Sequence, residues 1–157
     1  MTIYGPPRET DRVRRHTSTK INERIDHATA RRVDDFAARG RADIARRLDQ
    51  LDREWSVQRV FHLGASLVGL AGAALAAAGL RRSGLTLVAA SAGFSLHYAL
   101  SGWTPALTLM RRLQTRTRRE IDAEKFALKS VRGDFDAVCT AQSSLARAGN
   151  ALQAIWR

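Results

Sequence analysis

Between Glu54 and Glu120 the chain carries no acidic residue, and from Val60 to Met110 its only formal charges are Arg81 and Arg82. So long a stretch with so little charge restricts the fold, because helices apolar on nearly every side must be covered by protein or by lipid. Its first part, VFHLGASLVGLAGAALAAAGL, runs from Val60 to Leu80 without a formal charge. As a helix it would span about 30 Å, the thickness of a bilayer core. Arg81-Arg82-Ser83-Gly84 then reads as a turn, and LTLVAASAGFSLHYAL, continuing through Ser101 and Gly102 to Trp103, is long enough to return. Two spans joined by four residues must lie antiparallel. The expectation is a two-helix transmembrane hairpin over residues 60–104 with its turn at 81–84.

The flanks are as charged as the centre is bare, and the chain as a whole has a formal charge of +11, which calls for a polyanionic neighbour such as anionic lipid or nucleic acid. From Lys20 to Arg59, Ile21, Ile25, Ala28, Arg32 and Phe36 fall at helical spacing. Gly40 interrupts them, and Ile44, Leu48, Leu51 and Trp55 restart the stripe as a heptad-like, coiled-coil seam of about two heptads. The interleaved acids and arginines around these stripes read as solvated helix faces. Residues 1–19, with Pro6, Pro7 and a Ser/Thr-rich run, read as a disordered basic tail. They have no apolar segment of the kind a secretory signal peptide needs.

Beyond the apolar centre, Pro105 opens a short segment, Ala106 to Met110, suited to a membrane interface. Five of the nine residues from Arg111 to Arg119 are arginine: Arg111, Arg112, Arg116, Arg118 and Arg119. Thr117 and Glu120 have the spacing of a capping box, which predicts a helix to about Val131, where Gly133 breaks it. A last helix is expected to carry Val138, Ala141, Leu145, Ala148, Leu152 and Ile155 as a second seam, suited to the other arm or to a second copy.

Two readings of the basic block compete. Six Lys or Arg lie within about twenty residues before the spans and six after, against two in the turn; the positive-inside rule then places both arms, 20–59 and 105–157, in the cytoplasm. Trp55 and Trp103 would sit at the cytoplasmic interface with Arg59, and Arg81 and Arg82 at the far headgroups. As a nucleic-acid patch the block has charge but no interleaved aromatics and no helix-turn-helix pattern. Small residues line each span, Ala65, Gly69, Ala73 and Ala77 in the first and Ser91, Ser95 and Ala99 in the second, as expected where transmembrane helices touch.

Reactive chemistry is poorly represented. GLRRSGLT, Gly79 to Thr86, approaches a phosphate-binding loop but has Leu85 where the lysine belongs. His62 and His97 would lie at helix levels about 9 Å apart, poor for one shared haem or metal; a hydrogen-bonding or interfacial role is expected. His16 and His27 share no metal spacing. Cys139 is the lone cysteine and forms no disulfide within the chain. RGDF, Arg132 to Phe135, reads as a helix break. No catalytic, cofactor-binding or metal-binding pattern is present.

Trp55 opening the first span, then GWTP, RRLQTRTRREID and ALKSVRGDF, resemble the small bacterial inner-membrane proteins with a YgaP-type transmembrane domain, a family without an assigned function. The likeness covers roughly Asp43 to Phe135. It implies a two-span inner-membrane protein and lends no catalytic residue; the cysteine common in the family's Gly-Trp-Cys-Pro is Thr104 here. The resulting expectation is an all-α, non-enzymatic membrane scaffold or self-associating module, with anionic lipid, a second copy or a cytoplasmic protein as partners. The alternatives are a soluble basic helical protein that binds nucleic acid and, by family association only, a redox or sulfur-handling accessory.

Overall fold

A computed structural model describes residues 11–156, and among them every regular element is an α-helix. The helices gather into two compact units, among the described residues one formed by 11–25 with 55–118 and the other by 26–54 with 119–156. Each is built from both ends of the sequence. Residues 1–10, with Pro6 and Pro7, lie outside the described residues.

In the first unit the expectation of a disordered tail over residues 1–19 is corrected for its described part, 11–19. Asp11 accepts the Val13 and Arg14 amides at 3.0 and 3.3 Å and so starts a single helical turn, α1 (Arg12–Arg15). That turn holds because Val13 is buried with Val57, Phe61 and Leu107. Thr17 closes it by donating to the Val13 carbonyl at 2.7 Å. Asn22, near the start of α2 (Thr19–Ala37), donates to the Arg14 carbonyl.

Two long helices, α4 (Val57–Ala77) and α5 (Arg81–Ser101), form an antiparallel hairpin. Its turn lies at 78–80, ahead of the expected 81–84, because Gly79 adopts φ +97° and ends α4. The Leu80 amide reaches back to the Leu75 carbonyl, the closure a glycine at this position permits. Arg81 and Arg82 therefore form the first turn of α5. Gly102, also left-handed, ends α5, and Pro105 at the first position of α6 (Pro105–Arg112) is preorganised for a helix start.

The second unit packs α3 (Arg41–Arg53) and the later part of α2 on α7 (Arg118–Arg132), burying Val33, Ile44, Leu48, Leu51, Ile121 and Leu128. The α3 seam thus finds its partner within the chain, although Trp55 stays exposed and takes no part. On α2 the apolar contact is Val33 rather than Arg32. The Arg32 side chain turns to Glu124, as does Arg47, at 3.2 and 2.9 Å, and this carboxylate is fully buried.

Helix α7 starts directly after Thr117, at the place the capping-box spacing indicates, and stops at Gly133, φ +90°. There Arg132 grips Asp134 through both Nε and Nη2, so RGDF serves as a helix terminus. The expected last helix is split into α8 (Asp136–Cys139) and α9 (Ser144–Trp156), because Ser143 accepts the Ala146 amide and caps a new start. Asn150 ties the two by donating to the Ala137 carbonyl. Lys129 donates to the Ala154 and Ile155 carbonyls at 3.2 and 2.6 Å, a cation on the otherwise unsatisfied end of α9. Burial, then the neighbouring Lys125, pushes the Lys129 ammonium below its ordinary range. Leu145, Leu152 and Ile155 of the expected seam are all exposed, so these three are not covered by the other arm.

Candidate functional site

The hairpin is held by small groups at its contact line. A methyl group on Gly84 would sit 2.4 Å from the Gly72 carbonyl oxygen and from the Ala76 nitrogen, so the backbones touch there. Further down, the Ser91 hydroxyl donates to the Ala65 carbonyl at 2.6 Å and packs against Gly69. The expected rows are therefore met at Ala65, Gly69 and Ser91, with Ser95 half-buried. Ala73, Ala77 and Ala99 face outward, and this corrects their assignment to the contact. Steps of four advance about 40° per step around a helix with 3.6 residues per turn, so a strict row drifts off the face. The contact instead follows Ala65, Gly69, Gly72 and Ala76, and Gly72, Ala76 and Gly84 were not among the residues the sequence singled out. Alternating steps of four and three would have found the first two.

The outer face is apolar. Leu63, Leu67, Val68 and Leu70 of α4 and Leu85, Leu87, Phe94, Leu96 and Leu100 of α5 are all exposed, Leu100 to 77 %. Among the described residues one helical stretch, ending at Ala77, is long and apolar enough to cross a membrane, and only 11 % of it is buried. The core helix of a soluble protein would be mostly covered. Helix α5 does not meet the same criterion, since serines, glycines, Thr86 and His97 dilute its apolar residues.

At the hairpin base the basic block divides. Arg111 is fully buried, donating to the Thr115 carbonyl at 3.2 Å and to the Asn22 side-chain oxygen at 2.7 Å. Arg116 is 6 % exposed, and its carbonyl accepts the Val57 amide. These two arginines are interior struts, which corrects their expected place on the surface. Arg112, Arg118 and Arg119 remain exposed, as do Arg81 and Arg82 at the opposite end of the hairpin.

Aromatics ring the same base. The Arg59 guanidinium lies over the Trp55 ring at 4.6 Å. Trp103 stacks on His16 with ring centroids 4.3 Å apart and donates from Nε1 to the Thr108 hydroxyl at 3.1 Å. Arg12 reaches the Ser101 carbonyl at 2.5 Å, tying α1 to the end of α5. His62 packs edge-on against Tyr98 and beside Phe61, whereas His97 lines an open furrow. Thr104, fully buried, has a hydroxyl without a hydrogen-bond partner.

Among the described residues no three His, Cys, Asp or Glu side chains approach closely enough to hold a metal ion. Arginines held by carboxylates, carbonyls and rings can organise a surface and attract anions. Comparison with protein-family models, curated proteins and solved structures finds no match.

Proposed function

We propose that this chain is a non-enzymatic integral protein of a bacterial cytoplasmic membrane. In this reading α4 and α5 both cross the bilayer, the two arms lie in the cytoplasm, and the molecule works as a membrane-anchored scaffold or self-associating module. The observation that carries the proposal is the inversion of the hairpin: its small and polar contacts point inward while its Leu, Val and Phe side chains face outward. Each such apolar side chain near the centre of a span favours insertion by about 0.3–0.6 kcal/mol. The outward face of α5 supplies Leu85, Leu87, Phe94, Leu96 and Leu100, which offsets its serines once Ser91 has a partner inside the hairpin. The two-span arrangement agrees with the resemblance to YgaP-type domains.

The nucleic-acid alternative has less support. Burial of Arg111 and Arg116 leaves three exposed arginines in a block that no aromatic side chain interrupts. Self-association draws on α9, whose Leu145, Leu152 and Ile155 lie exposed along one face.

Alkaline carbonate washing tests the anchor. The protein is expected to stay with the membrane pellet; release as soluble, folded material would end the proposal.

A further inference from the structure

Resting on the membrane reading, we infer that the hairpin base holds a specific site for one anionic phospholipid, with its phosphodiester at Arg112 and an acyl chain along α5. Two adjoining concavities in the first unit, which share Pro105, carry the inference.

The lower one is lined by His16, Trp103, Pro105, Thr108, Leu109 and Arg112. Helix α6 builds one wall from Pro105, Thr108, Leu109 and Arg112, a stripe at spacings of three and four that shares one face. Its other stripe, Leu107 and Arg111, is buried inward, so the outer stripe is held in place. Trp103 forms the opposite wall and is itself fixed by the His16 stack and the Thr108 hydrogen bond. The Thr108 hydroxyl is committed there, and His16 Nδ1 is within 2.8 Å of the Arg12 carbonyl. Arg112 is left as the open anion donor: it is exposed and has no acidic partner among the described residues, and no acid lines the concavity. A guanidinium there matches a phosphodiester in charge and in hydrogen-bond geometry.

The upper concavity is lined by Ala90, Gly93, Phe94 and His97 of α5 together with Pro105. These α5 positions also share one helix face, and the absence of a side chain at Gly93 makes the furrow. A methyl group on Gly93 would meet nothing within 4 Å. From Ala90 to His97 the furrow is about 10 Å long, the reach of the upper half of an acyl chain. A free phosphate would need only the lower concavity, and an uncharged lipid only the upper one. Both side by side select a lipid with an unbalanced phosphate. A Trp at headgroup level beside an arginine is a favourable interfacial pair.

The full chain, with Trp55→Phe and Trp156→Phe so that Trp103 alone reports, is placed in phosphatidylcholine nanodiscs. Brominated phosphatidylglycerol or brominated phosphatidylcholine is then titrated in. The phosphatidylglycerol is expected to quench Trp103 at about fivefold lower mole fraction, the discrimination one arginine near a lipid phosphate supplies. Arg112→Gln should abolish the preference. Gly93→Leu, whose Cβ meets nothing within 4 Å, should weaken quenching by both lipids. Equal quenching by both lipids in the unaltered site, or a preference that survives Arg112→Gln, overturns the site and leaves the membrane anchor standing. Relief of quenching by inorganic phosphate alone overturns the lipid assignment in favour of a free-anion site. Absence of quenching by either lipid, together with release by carbonate, would mean that the anchor itself has failed.

Discussion

Glu124 is the residue on which the second unit turns. Its carboxylate is fully buried, and the half-buried Arg32 and Arg47 are among the groups that hold it. Removing one partner of a fully buried pair costs about 3–5 kcal/mol. Here both guanidinium groups can regain water, so the expected loss for Glu124→Ala is about 2 kcal/mol, read as a lowered midpoint in chemical unfolding. Asp43→Ala, which removes an exposed pair with Arg46 one helical turn away, should shift the midpoint by less than about 1 kcal/mol. Equal effects would show that Glu124 is no keystone. Sequence patterning does not single out Glu124, because the alternation of acids and arginines looks the same whether a carboxylate points out or in. Burial depends on how helices far apart in the chain pack. Arg111 and Arg116 illustrate the same limit: a run of arginines beside an apolar span has the composition of a flank, and only the fold makes two of them internal, Arg111 against the Asn22 side chain and Arg116 where its carbonyl accepts the Val57 amide.

At the level of elements, the hairpin depends on backbone proximity at one crossing point. Gly84→Val places a branched side chain against the Gly72 carbonyl and the Ala76 nitrogen, with no flexible group able to yield. A destabilisation of about 1–3 kcal/mol is expected, measured as a lower thermal midpoint by circular dichroism in micelles. Gly64→Ala, in open space within α4, should leave the midpoint unchanged or raise it. If both variants behave alike, the close approach contributes nothing. Helix positions were largely legible from apolar periodicity, glycine breaks and the Thr117 cap. The α4–α5 turn was not, because Arg-Arg-Ser-Gly has turn composition while Gly79 alone supplies the left-handed backbone that ends α4. Val13 and the Asp11 cap were missed for a related reason: a single buried valine has no periodicity to detect. The split between α8 and α9 turns on one serine hydroxyl, a signal that a continuous apolar seam conceals.

For the whole molecule, the proposed topology has a native reporter. Cys139 is the lone cysteine and is exposed at the end of α8. In intact spheroplasts a membrane-impermeant maleimide should leave it unlabelled, and permeabilisation should expose it. Labelling from outside would place the C-terminal arm on the wrong side of the membrane and cancel the positive-inside argument. The same thiol distinguishes one crossing from two, since a hairpin in which only α4 crosses would put Cys139 and the N-terminal arm on opposite faces. The dock of α1 on the hairpin base bears on how such a molecule is made. Arg12 closes on Ser101, eighty-nine residues later, and Val13 shares its burial with Leu107. Residues 11–17 are made before the hairpin, yet they cannot find their seat until the second apolar helix has been synthesised and turned back. On the proposed topology the arginines of this segment can meanwhile stay with the anionic leaflet beside it, a tether that holds the chain in place while the hairpin forms.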